Sequence, residues 1–583
     1  MGIKRYKAEK DTTIVNAYQP DFKTRATGAN AGKADVVEVF SIYGRITTSS
    51  QELSRTLIQF PITDVSSDRT AGTIPASGSV SFYLRMFNAE HSRTVPEDYT
   101  LTVLAVSQSW QEGVGLDLER YKDETKGNTG ANWMSASNTS YWTDINGSLL
   151  QGGSYLTGGL VSTIVDTEIH TFTQTFSTGL EDLEIDVTPL VEQWIAGTYS
   201  NYGVGIKLSA SYEAFSSASA DDTGVSRVPR ANTLDPLYKT NNVIYNPSGS
   251  TKSYYTKRFF ASGSQYFFKR PVIEARWNSA TKDQRGNFYY SSSLATAADN
   301  VNTIYLYNYV HGKLTDIPDA YGGAFKKRLF VSIYSGSVGG FYPNQGGGDG
   351  DDVAPSNYPV SGTTSKNTGS VQILTVDNDD NVTSVNKLVV TGGIVSTGIY
   401  SASFAFTGSE LLETIYDVWF TGSHKTTSAN DALIQYFTGA VKPITLRASQ
   451  TVSKPVYYAN ITNLRKKYRK DETARFNLYV RNKNWSPTVY TVANSTPDST
   501  TIASASYRVF RTMDAYGAVP YGTGSDLHTQ MSYDISGSYF DFDMNILEPG
   551  YEYAFKFAFY DSALSTWIEQ PGAFKFRVED YEY

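Results

Sequence analysis

A chain of 583 residues without a cysteine can hold neither disulfides nor thiolate metal sites, and it has no cysteine nucleophile. With 50 basic residues against 58 acidic ones the net charge is −8, which argues against a protein that binds nucleic acid by neutralising many phosphates. Aromatic residues at 14% and charged residues at 19% exclude a largely disordered chain, and the length corresponds to about four units of ~150 residues.

Met1-Gly2-Ile3-Lys4-Arg5-Tyr6-Lys7 is basic, but no apolar segment follows it, so no secretory signal is expected. No stretch approaches the ~20 apolar residues of a membrane helix. The expectation is a soluble chain, made in a cytoplasm, with no membrane partner. From residue 1 to 278 short runs of aromatic and β-branched residues predict strands at Thr56–Phe60, Val80–Met86, Tyr99–Val106 and Arg270–Trp277. Two long polar interruptions, 115–165 and 212–258, break this sector. Loops of that length inside a compact domain are usually functional or ordered by a partner. The best helical pattern runs from Val187 to Ala196: Pro189 opens it, Leu190, Val191, Trp194 and Ile195 line one side, and Gly197 follows its end.

The second sector, 279–450, carries predicted strands at Thr303–Tyr309, Leu329–Tyr334, Val371–Val376, Lys387–Val390 and Ile399–Phe406. A glycine-rich acidic loop, 346–352, lies between them. The third sector, 451–583, has the clearest alternation. Phe476, Leu478 and Val480 share one face, as do Tyr553, Phe555, Phe557 and Phe559, and Phe574-Lys575-Phe576-Arg577-Val578 turns its basic residues outward. No fixed-period repeat is visible, which argues against a solenoid or propeller.

Several segments of the first sector, in order, resemble DNRLRE-type domains. Ser54-Arg55-Thr56-Leu57-Ile58-Gln59-Phe60 is similar to that family's Arg-x-Leu-aliphatic-x-Phe strand, and Trp110-Gln111-Glu112-Gly113 to its Trp-x-Glu-Gly segment. Asp186-Val187-Thr188-Pro189-Leu190-Val191-Glu192-Gln193-Trp194, Asn201–Leu208 and Arg270-Pro271-Val272-Ile273-Glu274-Ala275 complete the set, although Ile273 and Ala275 depart from the usual residues. The resemblance implies a jelly-roll-like sandwich of the kind found in surface, adhesive and carbohydrate-binding proteins. Leu547-Glu548-Pro549-Gly550-Tyr551-Glu552-Tyr553 is similar to the corner before strand F of fibronectin type III domains, which implies that the Tyr553 hydroxyl bonds back to nearby backbone. Gly113-Val114-Gly115-Leu116-Asp117, Gly130-Ala131-Asn132-Trp133, Phe268–Trp277, Arg285-Gly286-Asn287-Phe288-Tyr289-Tyr290 and Asn482–Thr488 resemble virion proteins of tailed phages, marine ones in particular. The expected fold is therefore all-β and multidomain: a jelly-roll-like β-sandwich over 1–278, a second β-sandwich over 279–450, and an Ig/fibronectin-III-like β-sandwich over 451–583.

No motif carries catalysis. His91, His170, His311, His424 and His528 are scattered, and no phosphate-binding glycine loop is present. Asp377–Asn381 lacks the glutamate that a calcium loop needs at its twelfth position, where Leu388 stands. Glu112, Asp117, Glu119, Asp123 and Glu124 crowd one segment, without the defined separation that a glycosidase pair requires. No enzyme, metal or cofactor is expected.

The candidate site residues are of other kinds. Trp133, Tyr141 and Trp142 stand in a polar interruption, and Trp485 stands beside Ser486-Pro487. Such aromatics are pocket fillers, sugar-stacking platforms or interface anchors, and the phage resemblance favours anchors. Arg465, Lys466, Lys467, Arg469 and Lys470 form the one basic run, read as a solvated face or an intersubunit salt-bridge strip rather than a nucleic-acid site. The expected function is that of a non-enzymatic structural protein of a phage virion (neck, tail, baseplate or capsid surface). It would partner with itself and with other virion proteins; direct nucleic-acid binding is not expected. The alternative is an adhesin that contacts host glycans.

Overall fold

The structure, a computed structural model, describes residues 2–16, 30–43, 51–90, 95–116, 130–144, 146–156, 170–213, 246, 248–250, 254–291, 301–317, 328–336, 372–376, 382–383, 390–407, 414–421, 434–444, 457–483, 499–562 and 564–580. The protein is all-β and multidomain, and no described helix is long and apolar enough to cross a membrane.

The first unit packs a four-stranded antiparallel sheet against a seven-stranded one. Ile3–Lys7, Val272–Arg276, Ser81–Met86 and Leu183–Asp186 form the smaller sheet in that order. The larger runs Tyr254–Phe260, Val36–Tyr43, Gln51–Gln59, Val204–Leu208, Tyr99–Ala105, Thr171–Phe176, with Lys10–Val15 also paired to Gln51–Gln59. Period-two alternation sends Phe82, Leu84, Ile273 and Ala275 from the small sheet, and Ile58, Leu101 and Val103 from the large one, into a shared core. Each fully buried side chain of this size contributes about 1.5–3 kcal/mol.

The helix predicted near Val187 is present as Thr188–Ala196, with Leu190, Val191 and Trp194 buried and Gly197 closing it in the left-handed conformation at φ 74°. A second helix, Ile62–Thr70, lies beside it, held by two hydrogen bonds of 2.7 and 2.6 Å from Arg69 to the Glu192 carboxylate.

From Leu53 to Ile58 the strand Gln51–Gln59 is buried on both faces. Ile58 joins the sandwich core, while Leu53 and Leu57 point the other way into a second cluster with Ile14, Trp110, Trp133 and Trp142. The segment 130–156 thus forms an outer layer on the large sheet.

Among the described residues the middle unit is an antiparallel sheet of eight strands with a small two-stranded hairpin, Tyr309–Val310 and Lys313–Leu314. Its core gathers Phe288, Ile304, Val331, Phe404 and Trp419. The third unit is a two-sheet sandwich. Tyr457–Ile461, Thr473–Asn482, Gly537–Asp543 and Ser532–Asp534 form one sheet. Lys467–Arg469, Phe574–Glu579, Glu552–Asp561, Ala505–Arg511 and Gly517–Val519 form the other, with Thr566–Glu569 beside Glu552–Asp561. This is the strand order of an Ig-like sandwich. Its core is aromatic: Phe476 lies 4.8 Å from Phe555, Phe555 stacks on Phe576 at 4.7 Å, and Tyr507 stacks on Phe540 at 4.4 Å.

Candidate functional site

The first and third units meet across the strand Ile3–Lys7, whose two faces serve different units. Tyr6 packs in the first unit's core, its hydroxyl donating to Asp68 at 2.7 Å, and Lys4 pairs with the same carboxylate at 2.6 Å. Ile3, Arg5 and Lys7 alternate onto the opposite face. Ile3 joins the third unit's core, and Arg5 donates to the Ala518 carbonyl at 2.6 Å. No side chain fits at position 2, because a Cβ on Gly2 would lie 1.9 Å from the Trp277 carbonyl oxygen.

The rest of the small sheet repeats this division. Its inward residues are apolar, while Tyr83, Arg85, Glu184, Glu274 and Arg276 point outward, and Arg276 lies 3.9 Å from Asp526 of the third unit. Glu274 is fully buried and accepts from Arg5 at 2.8 Å, Arg85 at 2.9 Å and Arg276 at 2.6 Å. Burial by itself would raise its pKa, but Arg85, Arg5 and Arg276 outweigh that and hold the carboxyl well below the usual carboxylate range. Tyr83 donates to Asp526 of the third unit at 3.1 Å. His528 is also buried here, with neither ring nitrogen hydrogen-bonded; burial, then Arg276, lowers its pKa to about 4.

Beside this network a cleft of about 650 Å³ opens between the units. Phe87, Phe268, Val272 and Ile546 supply an apolar floor, and Asp64, Asp68, Asp543 and Asn545 supply acceptors. Lys7 stands over the Phe267 ring, 3.0 Å from its centroid, with Lys470 5.3 Å from the same centroid. Burial, then Arg270, Lys470 and Arg5, lowers the Lys7 pKa to about 8.

The middle unit is tied to the third. Asp283 donates its N–H to the Tyr533 carbonyl and Tyr533 donates to that of Thr281, both at 3.0 Å. Arg285 binds the fully buried Asp417 at 2.5 and 2.6 Å, while the nearby Phe288 sits in the middle core.

The residues singled out from sequence fall in different places. Trp133 and Trp142 are not unpartnered loop aromatics: they are 2% and 0% exposed, inside the second cluster. The physical reason is that Gln51–Gln59 turns leucines outward, giving the interruption a surface of its own to cover. The Trp142 indole donates to the Asn132 carbonyl at 2.8 Å, and the Arg55 guanidinium lies 5.0 Å from the Trp133 ring while donating to the Gly152 carbonyl at 2.8 Å. Gly152, at φ 72°, leaves no room for a Cβ against Trp133. Tyr141 remains 43% exposed. Trp485, the loop 346–352 and Asp377–Asn381 lie outside the described residues.

The basic run is largely neutralised from within. Arg465 pairs with Glu472, Lys467 with Glu579 at 2.7 Å, and Arg469 with Asp471 at 2.8 Å. Lys466 is exposed, and Lys470 lies 5.3 Å from the centroid of the Phe267 ring, beside the cleft. The Tyr553 hydroxyl donates to the Glu548 carbonyl and accepts from the Glu548 N–H, both at 3.1 Å.

Sequence reasoning passed over Arg5, Arg85, Glu184, Glu274 and Arg276. Each occupies the polar phase of an alternating strand, which reads as solvent-facing. The available signal was that the outward positions of the closing strand carry charges of both signs, Glu274 and Arg276. No protein-family model matches this chain, and no curated protein matches it in sequence.

Proposed function

We propose that the chain is a non-enzymatic structural subunit of a tailed-phage particle that works as a homo-oligomer in the neck, tail, baseplate or capsid surface. The observation that supports this reading is the way the units are locked together. The first strand gives Ile3 to one core and Tyr6 to another, and two of the arginines gathered on one buried carboxylate reach the third unit, Arg5 at the Ala518 carbonyl and Arg276 at Asp526. Such a joint resists bending and suits a part that transmits load. Phage-like segments lie at both joints: Phe268–Trp277 at the first, Arg285–Tyr290 at the second. Exposed large side chains on all three units, such as Tyr254 at 61%, Tyr309 at 56%, Tyr458 at 52% and Met513 at 74%, supply anchor types used in subunit contacts.

Mass spectrometry of purified particles tests the reading, together with light scattering of the free chain. Detection in stoichiometric amounts supports it; consistent absence from intact particles removes it. The glycan-contacting reading moves away from Trp133 and Trp142, whose burial withdraws them from any ligand, and is favoured instead by the cleft beside Phe267.

A further inference from the structure

The junction between the first and third units pairs most of its cations. Arg5, Arg85 and Arg276 share Glu274, and Arg465, Lys467 and Arg469 each have a carboxylate. Lys7 and Lys470 are not paired in this way. Among the described residues neither ammonium has an ion-pair partner, and both stand over the Phe267 ring, with Arg270 near Lys7. They come from different units, so folding itself brings the like charges together. Convergent cations without an anion cost stability, and a bound anion would reverse that cost.

The surroundings narrow the class of anion. The site is concave, and about 650 Å³ lies within the ~300–1,000 Å³ range of small-ligand clefts. The Phe267 ring carries the Lys7 ammonium on its face at the cationic corner, and Asp64, Asp543 and Asn545 line the cleft as acceptors for hydroxyl groups. We propose that this cleft binds a sugar acid or sulfated sugar, its carboxylate or sulfate held by Lys7 with Lys470 beside it, and its hydroxyls on the acceptors. The lowered pKa of Lys7 agrees with an ammonium that lacks a counter-charge. This assignment deepens the glycan-contacting reading by naming a site and a chemical class, and it does not depend on the chain being a virion part.

The test is titration calorimetry of the full chain at neutral pH with glucuronate, glucose and inorganic sulfate as probes. Glucuronate is expected to bind saturably and roughly tenfold more tightly than glucose or sulfate. Lys7→Met and Lys470→Met are each expected to weaken glucuronate about fivefold and, combined, to abolish it. The melting temperature of Lys7→Met should equal or exceed that of the parent, which separates a lost site from a lost fold. Absence of glucuronate binding, binding unchanged in the double variant, or equal binding of sulfate and glucuronate would overturn the assignment. A glycan array that lights up equally for parent and double variant would sink this site while leaving the broader glycan reading intact.

Discussion

Glu274 shows how one buried residue can organise the face on which a neighbouring unit packs. Its carboxylate is fully buried among Arg5, Arg85 and Arg276, and the arginines have given up water to reach it. A buried pair of this kind adds little net stability over an apolar replacement, but removing one partner leaves buried charge uncompensated. Glu274→Gln is therefore expected to cost about 3–5 kcal/mol in chemical denaturation; a loss below about 1 kcal/mol would mean that solvent reaches the arginines. His528 gives a second residue-scale prediction. Its folded pKa of about 4 lies below its ordinary value of 6.5, so the unfolded chain binds the extra proton between those limits. The stability it supports is complete above pH 6.5 and drains away as pH falls toward 4. Asp11 and Asp283, raised by burial to about 7 and about 6, act in the opposite direction, so the bare melting profile mixes the three. The difference profile isolates His528: relative to parent, His528→Phe should gain stability progressively from pH 6.5 to pH 4, by on the order of 3 kcal/mol at the acid end. A flat difference would show that the imidazole is not desolvated.

At the scale of elements, the corner at Tyr553 and the outer layer at Trp133 carry the sharpest expectations. Tyr553→Phe keeps the buried ring and deletes both contacts with Glu548, which should cost about 1 kcal/mol in equilibrium unfolding. Arg55→Met removes the donor to Gly152 and the cation beside Trp133, and acrylamide quenching of tryptophan fluorescence should increase as segment 130–156 loosens. Unchanged quenching would mean that the apolar contacts of the second cluster suffice. These elements also mark what the sequence could reveal. The third unit's strands and the helix Thr188–Ala196 were legible because one face is apolar and the other is not. Ile62–Thr70 was not, since only Ile62 and Val65 are buried on a helix otherwise made of threonine, serine, aspartate and arginine. Thr414–Thr421 escaped for the opposite reason: Ile415 through Trp419 are all buried, Asp417 included, so no alternation survives. The outer layer was misread because whether an interruption has a core beneath it depends on the far face of Gln51–Gln59. The cleft was invisible because Lys7 and Lys470 meet only after two units have folded and docked.

For the whole molecule the question is whether three units behave as one. Two joints favour this: the charged face of the small sheet against the third unit, and the backbone ladder from Thr281 to Asp283 along Tyr533. The third unit thus touches both others, although the middle unit stands between them in sequence. Cooperative unfolding of the first and third units follows if the shared strand transmits stability in both directions. Ile3→Glu tests this most directly. It places a carboxylate in the third unit's aromatic core while leaving Tyr6 and the other small-sheet strands untouched. Burying that charge is costly enough that the strand's outer face should release the third unit rather than tolerate it. Calorimetry should then show the joint transition of the parent divide into two, with a more extended envelope in solution scattering. A single transition merely shifted to lower temperature would show that Arg5 on Ala518, with Tyr83 and Arg276 on Asp526, suffices to couple the units, and Ile3→Glu combined with Glu274→Gln, which unpins those arginines, should then produce the division that the single change did not.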